Sequence, residues 1–319
     1  MEQLPDHLAD NCAGVRLYGE SPLTDIDDHV RLEQSQQALA IPERLTSLAE
    51  LDVLYERDRE AIWTFMRPAE RPSFTASLLD DFVLWQDLIQ RHFGPDRLPL
   101  KYLVLGSREP GVFCFGGDLE LFRQLIRAGD RDGLVAYGER CVEILHRNWL
   151  ALDLPMVTIG LVQGQALGGG FEALLSFDFI VAERGSTFGL PEVSFGLFPG
   201  MGAHAFLSRK LGSALADRMI LSKEVYSAER LYDLGLVHHI AEPGEGVEAV
   251  RGFIARSDRR HSGLVHARRA MRIASHVELR ELKEIVGLWA DAALALCEYD
   301  LKLMHRLASA QSRLAARAG

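Results

Sequence analysis

From Leu51 onward the chain repeats one order, a short β-rich apolar run followed by a stretch with helical periodicity. Parallel strands need long crossovers, usually helices, so this order predicts a mainly parallel sheet with helices outside it. The runs LDVLY and AIWTFM, separated by the charged segment Glu56 to Glu60, read as a hairpin. Ser73 or Thr75 can cap a helix whose apolar stripe is Leu78, Phe82, Trp85 and Ile89; Pro99 then closes a loop, and Tyr102 to Leu105 reads as a buried strand. Asp118 caps the next helix through Phe122 and Ile126, another spans Leu134 to Trp149, and Pro155 to Val162 is a strand ending in Gly164. A helix opens at the glycines beyond it, followed by a strand at Phe177 to Ala182 and shorter helices at Ala203 to Lys210, Leu215 to Leu221 and Ala228 to Leu234. Toward the C-terminus, Leu282, Val286, Trp289, Ala293, Leu296, Leu303 and Leu307 fall at helical spacing, broken at Asp300. That pattern predicts one long amphipathic helix packed on the body of the domain or on another subunit.

The chain has 319 residues, 48% hydrophobic and 25% charged, enough for one large domain or two smaller ones. Against 35 Lys and Arg stand 45 Asp and Glu, a net charge of −10, which argues against nucleic acid as the main partner because phosphate backbones are gripped by clustered cations. Residues 1 to 50 hold ten acidic and three basic side chains, with weak periodicity through Asp25, Asp27 and Asp28, and read as a mobile or loosely docked acidic extension. No apolar run approaches the ~20 residues that cross a bilayer, and MEQLPDHLADN lacks the pattern of a secretory signal. Membrane insertion is not expected, and the chain reads as cytoplasmic. Cys12, Cys114, Cys141 and Cys297 form no CxxC pair and stand near no His cluster, so neither a disulfide scaffold nor a metal site is expected. Cys114 could serve as a nucleophile, but a buried, inert thiol is the simpler reading.

Two segments end a strand in glycines and then begin a helix: Phe113 to Asp118 (FCFGGD) and Gly164 to Glu172 (GQALGGGFE). Glycine lets the backbone turn sharply and brings bare N–H groups close to a ligand, at the positive end of a helix. Two such turns can jointly hold an oxyanion, and losing one donor from such a hole costs roughly 2.7 to 4 kcal/mol of transition-state stabilisation. A dinucleotide-binding turn is the main competitor and fits poorly, since neither segment gives GxGxxG or GxxxxGKS and Glu172 would repel a phosphate. Glycines that merely allow close helix packing remain open on spacing alone.

Glu172 follows the triple glycine, and Glu192 lies in GLPEV beside an apolar stretch through Phe195, Leu197 and Phe198. Alone, Glu192 reads as a structural ion-pair partner. Together the two acids suggest acid–base work, because burial and mutual repulsion would raise one pKa and leave one carboxylate and one carboxylic acid near neutral pH. Such a couple can move a proton off one carbon while protonating a departing hydroxyl, or activate a water.

On the motifs FCFGGDL (Phe113 to Leu119), GQALGGGFEA (Gly164 to Ala173) and FGLPEVSFGLFPGMG (Phe188 to Gly202), the chain resembles the crotonase superfamily of enoyl-CoA hydratases and isomerases from about Leu51 to the C-terminus. The resemblance implies an α/β fold, the crotonase spiral of ββα repeats with a C-terminal helical region, divided here as an extension over 1–50, a core over 51–245 and helices over 246–319. It also implies that the N–H groups of Gly117 and Gly169 form an oxyanion hole for a thioester carbonyl, and that Glu172 and Glu192 match the two catalytic glutamates of the hydratases. No cofactor and no metal is implied, the substrate being an acyl thioester on acyl carrier protein or coenzyme A, and trimers or pairs of trimers are expected. Within the superfamily the stretches GGDLELFRQLIRAGDRDGLVAYGERCV, LPEVSFGLFPGMGA and MHRLASAQSR are similar to diffusible signal factor synthases of quorum sensing. That family dehydrates a 3-hydroxyacyl chain on acyl carrier protein to the cis-2-enoyl thioester and then hydrolyses the thioester.

Two features depart from the pattern. Phe115 stands where hydratases usually carry a small residue, and the acidic first fifty residues are longer than expected. Arg251, Arg256, Arg259, Arg260, Arg268, Arg269 and Arg272 form a basic island that would steer an acidic carrier protein, bind the coenzyme's phosphates, or simply be a solvated face. Leu190, Phe195, Leu197, Phe198, Met201 and Trp289 are apolar candidates for an acyl pocket, though such stripes are more often ordinary core. The alternative function is an enoyl-CoA hydratase of fatty-acid degradation. A third reading, a regulatory protein that binds acyl thioesters or a sensor kinase partner through its N-terminal segment, is disfavoured by the presence of both glutamates.

Overall fold

In the computed structural model, residues 41–318 are described. The expected hairpin forms from β1 (Leu51–Glu56) and β2 (Ala61–Met66), with Leu51 opposite Met66 and Glu56 opposite Ala61. From β2 the sheet runs on in parallel through β3 (Tyr102–Ser107), β5 (Val157–Val162), β7 (Phe179–Glu183) and β10 (His239–Ala241). Every residue of β2 and β5 is buried, the mark of strands covered on both faces.

A second sheet, absent from the sequence expectation of one mainly parallel sheet, is built from β4 (Gly111–Cys114), β6 (Gly164–Leu167), β8 (Thr187–Gly189) and β9 (Val225–Ser227). Consecutive strands feed alternate sheets: β3 then β4, β5 then β6, β7 then β8, with β9 closing the small sheet antiparallel to β8. This is the spiral of ββα repeats. Gly111 pairs with Gly164, and a Cβ on Gly164 would strike the Gly111 carbonyl, so only glycine permits that approach between β4 and β6.

Capping side chains set the helices. Thr75, rather than Ser73, caps α1 (Ala76–His92), its hydroxyl accepting the Leu78 N–H. Asp118 caps α2 (Leu119–Ala128) by accepting from Glu120 and Leu121, and Asp130 caps α3 (Arg131–Trp149). The glycines open α4 (Gly169–Leu174). There follow α5 (Ala203–Leu211), α6 (Ser213–Leu221), α7 (Ala228–Asp233), α8 (Gly246–Ser257) and α9 (His261–Ala274). One apolar core lies between the large sheet and α8–α9, through Trp63, Val157, Val250 and Val265; the larger one fills the opposite side.

The single long C-terminal helix is corrected to two, α10 (Leu279–Leu294) and α11 (Glu298–Ala318). The break has a local cause: Asp300, the residue that interrupts the apolar spacing, reaches back to accept the Cys297 N–H at 3.0 Å, as a third-position acid does at a helix start. Leu282, Val286, Trp289 and Ala293 are buried on α10 against α3, where Gly138 leaves room for Val286. Both helices therefore pack on the same chain.

Residues 1–40 of the acidic extension, with Cys12, lie outside the described residues. Leu45 and Leu48 are buried in the core, so the docked body starts before Leu51. Among the described residues no helix is long and apolar enough to cross a membrane.

At the N-terminal ends of the strands Asp178 is buried and holds much of the basic island. It receives Arg272 Nη2 at 2.6 and 2.7 Å, Arg268 Nε at 3.2 Å and the Thr158 N–H at 3.1 Å. Arg251 pairs with Glu248 and Glu56. Arg256, Arg259, Arg260 and Arg269 remain exposed.

Candidate active site

The two glycine turns meet. A Cβ on Gly116 would collide with the Gly169 nitrogen, and one on Gly169 would lie 3.4 Å from the Gly117 nitrogen. Gly116 holds a φ of +91°, a left-handed conformation open to glycine. Gly117 and Gly169 thus present their amides to one place, and among the described residues neither N–H has an acceptor. Gly169 stands at the first position of α4, where helical N–H groups have no partner within the helix.

Glu172 lies on the same short helix, one turn on, and is 1% exposed. Its Oε2 accepts the N–H groups of Met201 at 2.8 Å and Ala203 at 2.9 Å. Gly202 between them, at φ +114°, lets the chain turn both amides onto one oxygen. Burial raises the Glu172 pKa to about 7, with the two amides pulling the other way.

Glu192 arrives from the other side of the cleft, at the start of the helical turn Glu192–Phe195. Its Oε1 would be 2.6 Å from a Cβ on Gly168, so it overhangs the turn that leads to Gly169. Its Oε2 has no hydrogen-bond partner. Burial first, and then the charge of Glu172, push its pKa well above the usual carboxylate range. The four residues singled out in the sequence are therefore drawn together: two amides without acceptors and two acids that compete for protons.

An apolar cavity lies between α1 and α3, next to this point and reached through Ala173 and Met201, the neighbours of Glu172. Ala173, next to Glu172, and Met201, which donates to Glu172, form part of its wall; Phe82, Trp85, Leu105 and Ile144 form more. Of the six apolar candidates read from the sequence only Met201 lines this cavity. Trp289 instead packs edge-on against Phe122 and under Gly200, while Leu190, Phe195 and Leu197 are buried in the core.

Sequence reasoning missed the Met201 and Ala203 amides, whose only trace was the pair Gly200 and Gly202. Cys114 is buried and its thiol pKa is pushed up to about 12 by burial, which removes it as a nucleophile. Phe115 is buried, its N–H donating to the Pro72 carbonyl at 2.7 Å. Among the described residues no group of His, Cys, Asp and Glu could hold a metal ion.

Residues 61–256 match the family described as Enoyl-CoA hydratase/isomerase. The chain is 34% identical over 183 residues to an enoyl-CoA isomerase/hydratase of Mycosarcoma maydis, covering 56% of this chain and 63% of that protein. It is 31% identical over 150 residues to the mitochondrial methylglutaconyl-CoA hydratase of Rattus norvegicus, covering 47% of this chain and 45% of that one. The matched region thus spans less than two thirds of these relatives. Among solved structures, an enoyl-CoA hydratase from Bacillus halodurans superposes with a TM-score of 0.65 at 20% identity, over 81% of this chain and 100% of that one. DspI of Pseudomonas aeruginosa superposes with a TM-score of 0.58 at 24% identity, over 73% and 90%. These likenesses are of fold, the crotonase fold. By the extent of the family match, the chain belongs to the enoyl-CoA hydratase/isomerase family.

Proposed function

We propose that this protein removes water from 3-hydroxyacyl thioesters, and adds it in the reverse direction, with Glu172 and Glu192 as its acid–base pair. The observation that carries the reading is the convergence of two raised-pKa carboxyls with two amides that lack acceptors. In the dehydration, one carboxylate takes the C2 proton while the thioester carbonyl gathers negative charge against the Gly117 and Gly169 N–H groups. The C2=C3 bond forms as the C3–O bond breaks, and the other, protonated carboxyl gives its proton to the departing hydroxyl, which leaves as water. The coupled pair holds one proton between its members near neutral pH, which is the form this step needs. The acyl chain lies in the cavity beneath Ala173 and Met201.

The finer reading is a synthase of the diffusible-signal type, supported by the motif resemblance and by the paired acids. It acts on a chain carried by acyl carrier protein, forms the cis-2-enoyl thioester, and then uses the same amides while a glutamate directs water onto C1, so that the thiol leaves and a free fatty acid is released. Arg256, Arg259, Arg260 and Arg269 are the exposed cations left to meet an acidic carrier. The test is incubation of one 3-hydroxyacyl chain, on coenzyme A and on acyl carrier protein, with products followed by mass spectrometry. Enoyl thioester plus free enoic acid supports the synthase; enoyl thioester alone favours the enoyl-CoA hydratase of fatty-acid degradation; neither product overturns the acid–base assignment.

A further inference from the structure

The turn that presents Gly117 is tied down at nearly every amide but one. The Phe115 N–H donates to the Pro72 carbonyl at 2.7 Å, and the Gly116 N–H to Cys114 Sγ at 3.3 Å. The Gly116 carbonyl accepts the Phe74 N–H at 2.7 Å. That carbonyl belongs to the same planar peptide unit as the Gly117 N–H, so holding the oxygen on the Phe74 side aims the N–H the opposite way, toward Gly169.

One side chain closes this arrangement. The Tyr137 hydroxyl, on α3, donates to the Phe74 carbonyl at 2.6 Å and accepts the Asp118 N–H at 3.2 Å. It thereby holds both the strand segment that grips the Gly116 carbonyl and the peptide that follows Gly117. Its ring is 8% exposed and meets Phe122 edge-on at 5.0 Å, the same Phe122 whose ring lies against Gly117. Burial keeps the phenol protonated, as its donor role requires.

We infer that Tyr137 is a positioning residue of the oxyanion hole, setting the direction of the Gly117 N–H through the Phe74 carbonyl and the Asp118 amide. The inference rests on the proposed thioester chemistry, in which Gly117 serves as a donor. Without the hydroxyl, the Phe74 carbonyl and the Asp118 N–H lose this shared partner, and the Phe74 N–H alone is left to hold the direction of the Gly117 peptide against the developing charge.

The test reads enolate formation alone. Exchange of the C2 protons of a saturated acyl-CoA with deuterated water, followed by NMR, needs the base and the oxyanion donors but no departing hydroxyl. Tyr137→Phe should slow exchange by roughly 10- to 100-fold, less than the ~100- to 1,000-fold of losing a donor outright, because the amide is misdirected and not removed. The loss should fall on kcat with KM little changed, and the pH profile should keep its wild-type limbs. Tyr102→Phe is the control for deleting a buried hydroxyl, since the Tyr102 hydroxyl has no partner; its exchange rate should match wild type. A folded Tyr137→Phe protein with wild-type kcat, or with a loss confined to KM, overturns the inference. Should that variant not fold, full-length protein with 2,3-difluorotyrosine at 137 keeps the ring's shape but weakens acceptance from Asp118; slower exchange at unchanged melting temperature supports the assignment, and a wild-type rate overturns it. Absence of exchange in the wild-type protein would instead defeat the underlying thioester reading, a result distinct from either.

Discussion

The charge of Glu172 raises the proton affinity of Glu192, and among the described residues neither carboxyl has a cationic partner. Two other buried carboxylates are compensated by cations: Asp178 is met by two arginines and Asp118 by Arg71. Leaving two acids uncompensated beside each other costs stability, which is typical of groups placed for chemistry.

Replacing either acid by its amide removes a proton carrier while keeping shape. Glu172→Gln and Glu192→Gln should each lower dehydration by at least ~100-fold, the lower range for positioned acid–base groups. Turnover of a 3-hydroxyacyl thioester by purified, folded variants checks this, and near-wild-type rates in either would remove that residue from the mechanism.

The rate should be bell-shaped in pH. Activity rises as the pair loses its first proton near pH 7 and falls as the second leaves at higher pH, since the active form carries one proton. Stability should move the other way. The Glu172 pKa is raised on folding, so the folded state holds more protons than the unfolded one between the ordinary carboxylate range and about 7, and stability falls as pH rises through that window. Melting temperatures of wild type and Glu172→Gln across pH 4 to 8 should therefore diverge, with the variant losing less on the alkaline side.

Gly116→Ala tests the hole without touching an acid. The added methyl would need a strained φ and would press on the Gly169 nitrogen. A loss on the scale of a missing donor, ~100- to 1,000-fold in kcat, is expected. Kinetics comparable to wild type would show that this close approach does not matter to the reaction.

The cavity should set chain length. Ala173→Leu adds bulk to its wall beside the reacting centre, so long-chain 3-hydroxyacyl thioesters should lose turnover while short ones keep it. A panel of chain lengths assayed by mass spectrometry decides the matter; uniform loss across the panel would argue that the chain lies elsewhere.

Asp178→Asn should destabilise by roughly 3 kcal/mol, the low end for a buried pair, because its arginines keep some contact with water. The site lies at the opposite strand ends, so turnover per folded molecule should not change. Denaturant titration and kinetics on the same sample separate the two effects.

Elements whose ends are written in side chains are legible in the amino-acid sequence: Thr75 and Asp118 cap the helices that the pattern places behind them. The small sheet is not. β6 has four residues and β8 three, too few for a period to show, and the β4–β6 pairing depends on backbone approach at Gly111 and Gly164, which leaves no side-chain signature. Glu172 and Glu192 stand out as acids in apolar company, yet the amides of Met201 and Ala203 that steady one of them are invisible in a string of letters. The cavity escapes a sequence reading because the stripe Phe82 and Trp85 looks the same whether it faces a void or a packed core.

The interruption between α10 and α11 lets the final helix rest on two places at once. It lies against the Glu192 turn, where Asp300 neighbours Gly196, and against α2, where His305 Nδ1 is 2.8 Å from Arg123 Nη1. One of those supports leads back to Glu192 and the other to the turn that carries Gly117. The last helix is in effect a hasp, fastening the turn that carries Glu192 to the helix that follows Gly117 through side chains that belong to neither glycine turn.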